Sequence, residues 1–161
     1  MSDTTQIRQP VSNDLKPLAE LWHAGWHQAH ASLITSDVLP FRTLDQFEAR
    51  LPAMWADIRV AGDHSEPMGF CYIEGAELDQ MYVARAAQGT GLAARLMAEA
   101  EDRMRRNGVE TAQLSCAAGN ERAARFYEKH GWTSDRAIVE EALAAAPGLF
   151  AKIWRYTKRL V

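Results

Sequence analysis

Apolar positions recur along this chain in two rhythms, steps of three and four in some stretches and short runs bounded by turn residues in others, and their order predicts the elements. Thr5 to Val11 reads as a short first strand, with Asn13 or Asp14 capping a helix that begins at Leu15. Leu18, Leu21, Trp22, Gly25, Trp26 and Ala29 make that helix's apolar stripe, and His23, His27 and His30 lie along its opposite edge. Ser36 to Pro40 is turn-like. Thr43-Leu44-Asp45-Gln46 has the form of a capping box opening a second helix, which buries Leu44, Phe47 and Leu51 and is limited by Pro52.

Three runs follow at close spacing, Asp57 to Ala61, Met68 to Ile73 and Glu77 to Val83, which predicts an antiparallel meander. A helix after Gly89 turns Leu92, Leu96, Met97, Ala100 and Met104 inward and Asp102, Arg103, Arg105 and Arg106 outward, and Gly108 ends it. Val109 to Ala117 is a further strand, which a helical crossover places parallel to the one ending at Val83. Asn120 caps the next helix, with Ala123, Phe126, Tyr127 and His130 as its stripe and Gly131 as its stop. The alanine-rich stretch from Ala137 to Ala146 reads as helical, and Phe150 to Leu160 is the final strand. The fold class is α/β, a mixed, mostly antiparallel sheet with helices on both faces, in a single domain over residues 1–161.

The chemistry concentrates between Ala76 and Met97, where a strand ends, a small-residue turn follows and Gly89 and Gly91 open a helix. The first amides of a helix have no internal partner and its dipole favours negative charge there, so this is a layout that cradles phosphate. Three readings compete. Gly89-Thr90-Gly91-Leu92-Ala93-Ala94 fits the G-x-G-x-x-A form of a dinucleotide fingerprint, which requires a buried parallel strand directly before it. A glycine-assisted helix start with no ligand is the plain alternative, and a Walker loop is excluded because no Gly-Lys-Ser/Thr occurs.

The third reading comes from pairing this turn with Asn120 to Trp132. Gln88-Gly89-Thr90-Gly91-Leu92-Ala93 resembles the Gln/Arg-x-x-Gly-x-Gly/Ala signature of the GCN5-related N-acetyltransferase (GNAT) superfamily. The segment with Asn120, Ala123 and Phe126-Tyr127-Glu128-Lys129 is similar to that family's Asn-x-x-Ala-x-x-Phe-Tyr-Glu-Lys segment. The resemblance implies a splayed central pair of parallel strands with acetyl-CoA in the gap. Carried over by position, Met81, Tyr82 and Val83 hydrogen-bond the pantetheine, Gln88, Gly89, Thr90, Gly91, Leu92 and Ala93 hold the diphosphate, and Asn120 contacts the cofactor's arm. Tyr127 is then the acid for the leaving thiolate and Glu77 the base, acting through a water, with Asp79 on the same strand face in reserve. Trp22, Trp26, His30 and Phe41 form the acceptor wall, where aromatic faces can hold an ammonium.

Composition narrows the partners. Apolar residues make up 47% and charged residues 24%, and a formal net charge of −3 leaves no basic footprint for nucleic acid. No apolar run approaches the ~20 residues of a membrane span, and Met1 to Thr5 lacks the form of a signal peptide. Cys71 and Cys116 are isolated within apolar strands and read as buried thiols of a cytoplasmic protein. His23, His27 and His30 lack a carboxylate partner, so no metal site is assigned. The expectation is an acetyl-CoA-dependent transferase acting on a primary amine, small molecule or peptide. A non-catalytic acyl-CoA sensor on the same fold is the alternative, and an exposed final strand offers a route to a homodimer.

Overall fold

Alternating pairing and burial along the strands close this chain around one seven-stranded sheet, seen in a computed structural model that describes residues 6–161. Thr5, the expected start of the first strand, lies outside the described residues. The elements are β1 (Ile7–Arg8), α1 (Leu15–His30), α2 (Leu44–Met54), β2 (Ile58–Asp63), β3 (Glu66–Glu74), β4 (Glu77–Val83), α3 (Leu92–Arg106), β5 (Thr111–Ala117), α4 (Glu121–Lys129), β6 (Val139–Ala142) and β7 (Phe150–Arg159). Their order across the sheet is β1-β2-β3-β4-β5-β7-β6, and β4 with β5 is the parallel pair. The predicted meander of β2, β3 and β4 is present.

Each face of the sheet carries its own core. Trp22, Leu18, Phe47 and Leu51 of α1 and α2 bury against Ile58, Val60 and Phe70. On the other face Leu92, Leu96, Met97 and Met104 of α3, with Ala124 of α4, bury against Cys71, Ile73, Leu114 and Tyr156. The predicted capping box starts α2, since the Thr43 hydroxyl accepts from the Gln46 amide at 3.3 Å and the Gln46 side chain accepts from the Thr43 amide at 3.2 Å.

Strand β4 is the element on which the two faces meet. Tyr72 opposes Gln80 but Ile73 opposes Leu78, so Asp79 is an extra residue, a bulge. The bulge breaks the two-residue alternation. Leu78 and Met81, a step of three, and then Val83 pack beneath α3, while Tyr82 faces α1 and the Gln80 side-chain oxygen accepts from the Trp22 indole at 3.1 Å.

Several expectations are corrected. The stretch from Ala137 to Ala146 is not helical: Val139 to Ala142 pairs in register with Ile153 to Phe150, and that ladder overrides alanine's helix preference. The final strand therefore lies between β5 and β6, which covers its outer side from Phe150 to Ile153, and Thr133 bridges Thr157 further on. Arg103 points inward, because its guanidinium is satisfied by Glu99 and by the Asp57 carbonyl at 2.8 Å. Leu44 is 39% exposed, and α2 continues past Pro52 to Met54, whose side chain anchors the last turn in the core.

Asp14 stands at the N-cap position of α1 but bonds none of that helix's amides. Its fully buried carboxylate instead accepts from Arg8 at 2.7 and 3.1 Å, from the Val11 amide at 2.8 Å and from the Ser65 amide at 3.0 Å. It thereby ties β1, the start of α1 and the β2–β3 turn. Burial works against its ionisation, but Arg8 and the two amides outweigh that and hold its pKa below the usual 3.8. A depressed carboxylate contributes stability above its unfolded pKa and loses it as pH falls through the folded one. Asp14→Asn should therefore cost about 3 kcal/mol in urea denaturation at neutral pH. The gap from wild type should shrink below the usual carboxylate range, and a gap of constant size across that window would rule out the ionised carboxylate as its source.

Candidate active site

The parallel pair at the centre of the sheet is joined at one residue pair, Glu77 with Gln113, beside a bond from the Gln113 amide to the Ala76 carbonyl at 2.9 Å. Beyond it β5 follows β7 over its whole length, and β4 follows β3. The two strands part. The Ala84 amide bonds the Met68 carbonyl at 2.7 Å, so alternation along the antiparallel pair turns the backbone groups of Val83 and Met81 toward the gap. The Val83 carbonyl meets the Gln88 side-chain amide there, at 3.5 Å.

A cleft of about 840 Å³ occupies the gap and reaches both faces of the sheet. At one end the turn at Gly89 and Gly91 adopts φ of 80° and 87°, a left-handed backbone that strains any residue with a Cβ. A Cβ built on either glycine meets nothing within 4 Å, so the space before the turn is open. Among the described residues the amides of Gly89, Gly91, Leu92, Ala93 and Ala94 have no acceptor. These orphan donors and the α3 dipole make an anion cradle of the kind a diphosphate fits. The Thr90 hydroxyl turns back onto the Ala87 carbonyl, and Thr90 does not line the cleft.

Helix α4 closes the β5 side. Asn120 caps it, its side-chain oxygen accepting from the Ala123 amide at 3.2 Å, and both Asn120 and Tyr127 line the cleft. Burial, with Cys116 and Tyr156 nearby, raises the Tyr127 pKa well above that of an ordinary phenol, so it stays protonated at neutral pH.

On the α1 side Glu77 and Asp79 stand together. Burial raises the pKa of both. The neighbouring Asp79 charge adds to the rise at Glu77, and Arg155, 3.8 Å away, opposes it. Trp22, Trp26 and His30 line this wall, as expected from sequence, whereas Phe41 does not; the next residue, Arg42, takes that place. His30 donates from Nδ1 to the Trp26 carbonyl, 3.2 Å away, and its pKa is lowered by burial and by Arg42, which keeps it neutral. Each indole already carries a guanidinium. Arg50 lies over Trp22 at 4.6 Å and Arg42 over Trp26 at 5.6 Å. Among the described residues no cluster of His, Cys, Asp or Glu is placed to hold a metal, and no helix is long and apolar enough to cross a membrane.

A sequence model of the acetyltransferase (GNAT) family matches residues 18–132, which spans both glycine turn and α4. The chain belongs to that family. Solved GNAT-type structures share its fold at low identity. The GCN5-related N-acetyltransferase from Rhodopseudomonas palustris superposes with a TM-score of 0.75 at 20% identity, covering 99% of this chain and 98% of the other. PaiA N-acetyltransferase from Thermoplasma acidophilum, in complex with coenzyme A, gives 0.70 at 20% identity over 99% of each chain. The protein yncA from Salmonella typhimurium, with its cofactor acetyl-CoA, gives 0.71 at 18% identity over 98% and 94%. No curated protein sequence matches significantly. The dinucleotide reading falls, because the strand before the glycines is antiparallel to β3 and shares a single pair with β5.

In this GNAT chain sequence reasoning missed Arg42, Arg50, Ser115 and Glu141, all of which line the cleft. Only the fold brings them together, from three separate parts of the chain, and no local motif marks them. The two thiols stay out of the chemistry. Burial pushes Cys71 up to about 12 and Cys116 up to about 11, so both remain protonated in mild alkali. Neither should react with an aromatic disulfide reagent in the native protein at mildly alkaline pH, and both should after denaturation. Rapid native labelling of either would contradict its burial.

Proposed function

We propose that this GNAT protein transfers an acetyl group from acetyl-CoA to a primary amine by direct attack within a ternary complex. What carries the reading is the parted strand pair, whose open edge runs from the orphan amides of the glycine turn to Glu77 and Tyr127 in one cleft. The coenzyme A and acetyl-CoA held by the Thermoplasma and Salmonella relatives support that co-substrate. The amides of residues 89 and 91–94 take the diphosphate, and the Met81 and Val83 edge takes the pantetheine arm as an added strand would. Bound acetyl-CoA supplies the activated acyl group.

Chemistry then needs three things from the chain. An alkylammonium, of pKa near 10, has no lone pair, so its proton must leave before attack. Glu77 accepts it through a water, aided by a pKa raised toward the working range. The Met81 amide, aimed into the gap, stabilises the developing oxyanion. Tyr127, kept protonated by burial, donates to the departing sulfur.

Tyr127→Phe should lower kcat by about 100-fold while calorimetry shows acetyl-CoA affinity nearly unchanged. Unaltered turnover would remove the acid role. For Glu77 the sign is set by its raised pKa: the base works when ionised, so kcat/KM should fall as pH drops through a value above the ordinary 4.5. Glu77→Gln should abolish that acidic limb and leave the limb set by the amine itself. Were the variant's profile to overlay the wild type's, water or another group would be the base.

A further inference from the structure

The acceptor half of the cleft carries charge of both signs, contributed by different elements. Glu77 and Asp79 belong to β4, and Glu141 to β6. Arg42 and Arg50 come from the turn before α2 and from α2 itself. The two arginines are not equivalent. Arg42 is 4% exposed and already bonded, donating to the Phe41 carbonyl at 2.9 Å and the Ala144 carbonyl at 2.8 Å. Arg50 is half-buried, lies over Trp22 and donates to no acceptor among the described residues. Among the described residues no carboxylate reaches it within ion-pair distance, although the Asp79 charge acts on it. Burial lowers the pKa of both guanidiniums, and each also feels a neighbour: Arg50 depresses Arg42, which falls to about 10.

Resting on the acetyl-transfer reading above, we infer that the acceptor is a free amino acid, an amine that carries a carboxylate beside it, held by Arg50. Contact with the indole helps hold the guanidinium in place, Arg50 lines the cleft, and its fork of donors matches a carboxylate. Asp79 links the two ends of the site, since its charge acts on both Arg50 and Glu77. A bound amino acid places its carboxylate on the cationic wall and its amine toward Glu77 and Asp79. A polyamine, all positive, meets Arg50 and Arg42 at the same wall and is repelled.

The test compares the common L-amino acids with the amines left by their decarboxylation, and with spermidine, using CoA release and calorimetry on the protein with acetyl-CoA or CoA. At least one amino acid should exceed its matching amine by about 100-fold in kcat/KM. Arg50→Met, which keeps a side chain against Trp22, should bring that ratio toward one, chiefly through KM for the amino acid. Arg50→Lys should restore part of it by charge without the fork. Preference for the bare amines or spermidine, or a ratio indifferent to Arg50, overturns the inference while leaving acetyl transfer intact. Tight acetyl-CoA binding with no amino acid bound or acetylated also overturns it. Absence of acetyl-CoA binding strikes the underlying reading first, and this one with it.

Discussion

The structure depends on two neighbouring strands that do not complete their ladder. Strands left unpaired inside a protein expose amides and carbonyls that cost free energy unless satisfied. Here the cost is contained because each strand is fully paired on its other side, β4 with β3 and β5 with β7, so parting removes one ladder and not two. The single contact at Glu77 and Gln113 pins the closed end. From that point the separation is a stable feature of the sheet, and the Gln88 side chain meets part of the demand at the Val83 carbonyl.

The bulge at Asp79 works with that opening. Without an extra residue, Glu77, Asp79 and Met81 would share one face and Leu78, Gln80 and Tyr82 the other. With it, Leu78 and Met81 both pack under α3, and the polar residues between them turn to α1. The strand can therefore anchor the α3 core and still present carboxylates to the opposite side. Gly25 lets α1 come close enough to complete that side, since a Cβ there would meet the Tyr82 ring at 2.6 Å.

Much of this was legible in sequence where the signal is local. The Thr43 capping box, the Asn120 cap and the bounds of Glu77–Val83 follow from residues within a few positions of one another. Features set by distant partners were not. Alanine-rich residues became β6 because β7 offered a ladder, and Arg103 turned inward because Glu99 and a carbonyl from before β2 could pair its charge. Trp22 and Trp26 were rightly placed at the cleft wall, but helical spacing says nothing about which cation covers an indole. That depends on α2 and the turn before it, which bring in Arg50 and Arg42.

The closed end of the cleft shows how charge can stand in for a missing ladder. Arg155 of β7 sits opposite Ser115 of β5 and reaches across to Glu141 at 3.3 Å, which also accepts from the Ser115 hydroxyl at 3.1 Å. Its other terminal nitrogen is buried without a hydrogen-bond acceptor among the described residues and faces Glu77 at 3.8 Å. That distance is too long for a hydrogen bond but short enough for attraction. Burial and the carboxylates of Asp79, Glu141 and Glu74 push Glu77 toward the protonated form, while Arg155 pulls it back. A carboxylate under burial and like charge alone would hold its proton too firmly to act as a base, and one paired tightly to arginine would be too weak to take one. The partial contact opposes the rise at Glu77 without cancelling it, and it comes from β7, which reaches the end of the parted strands.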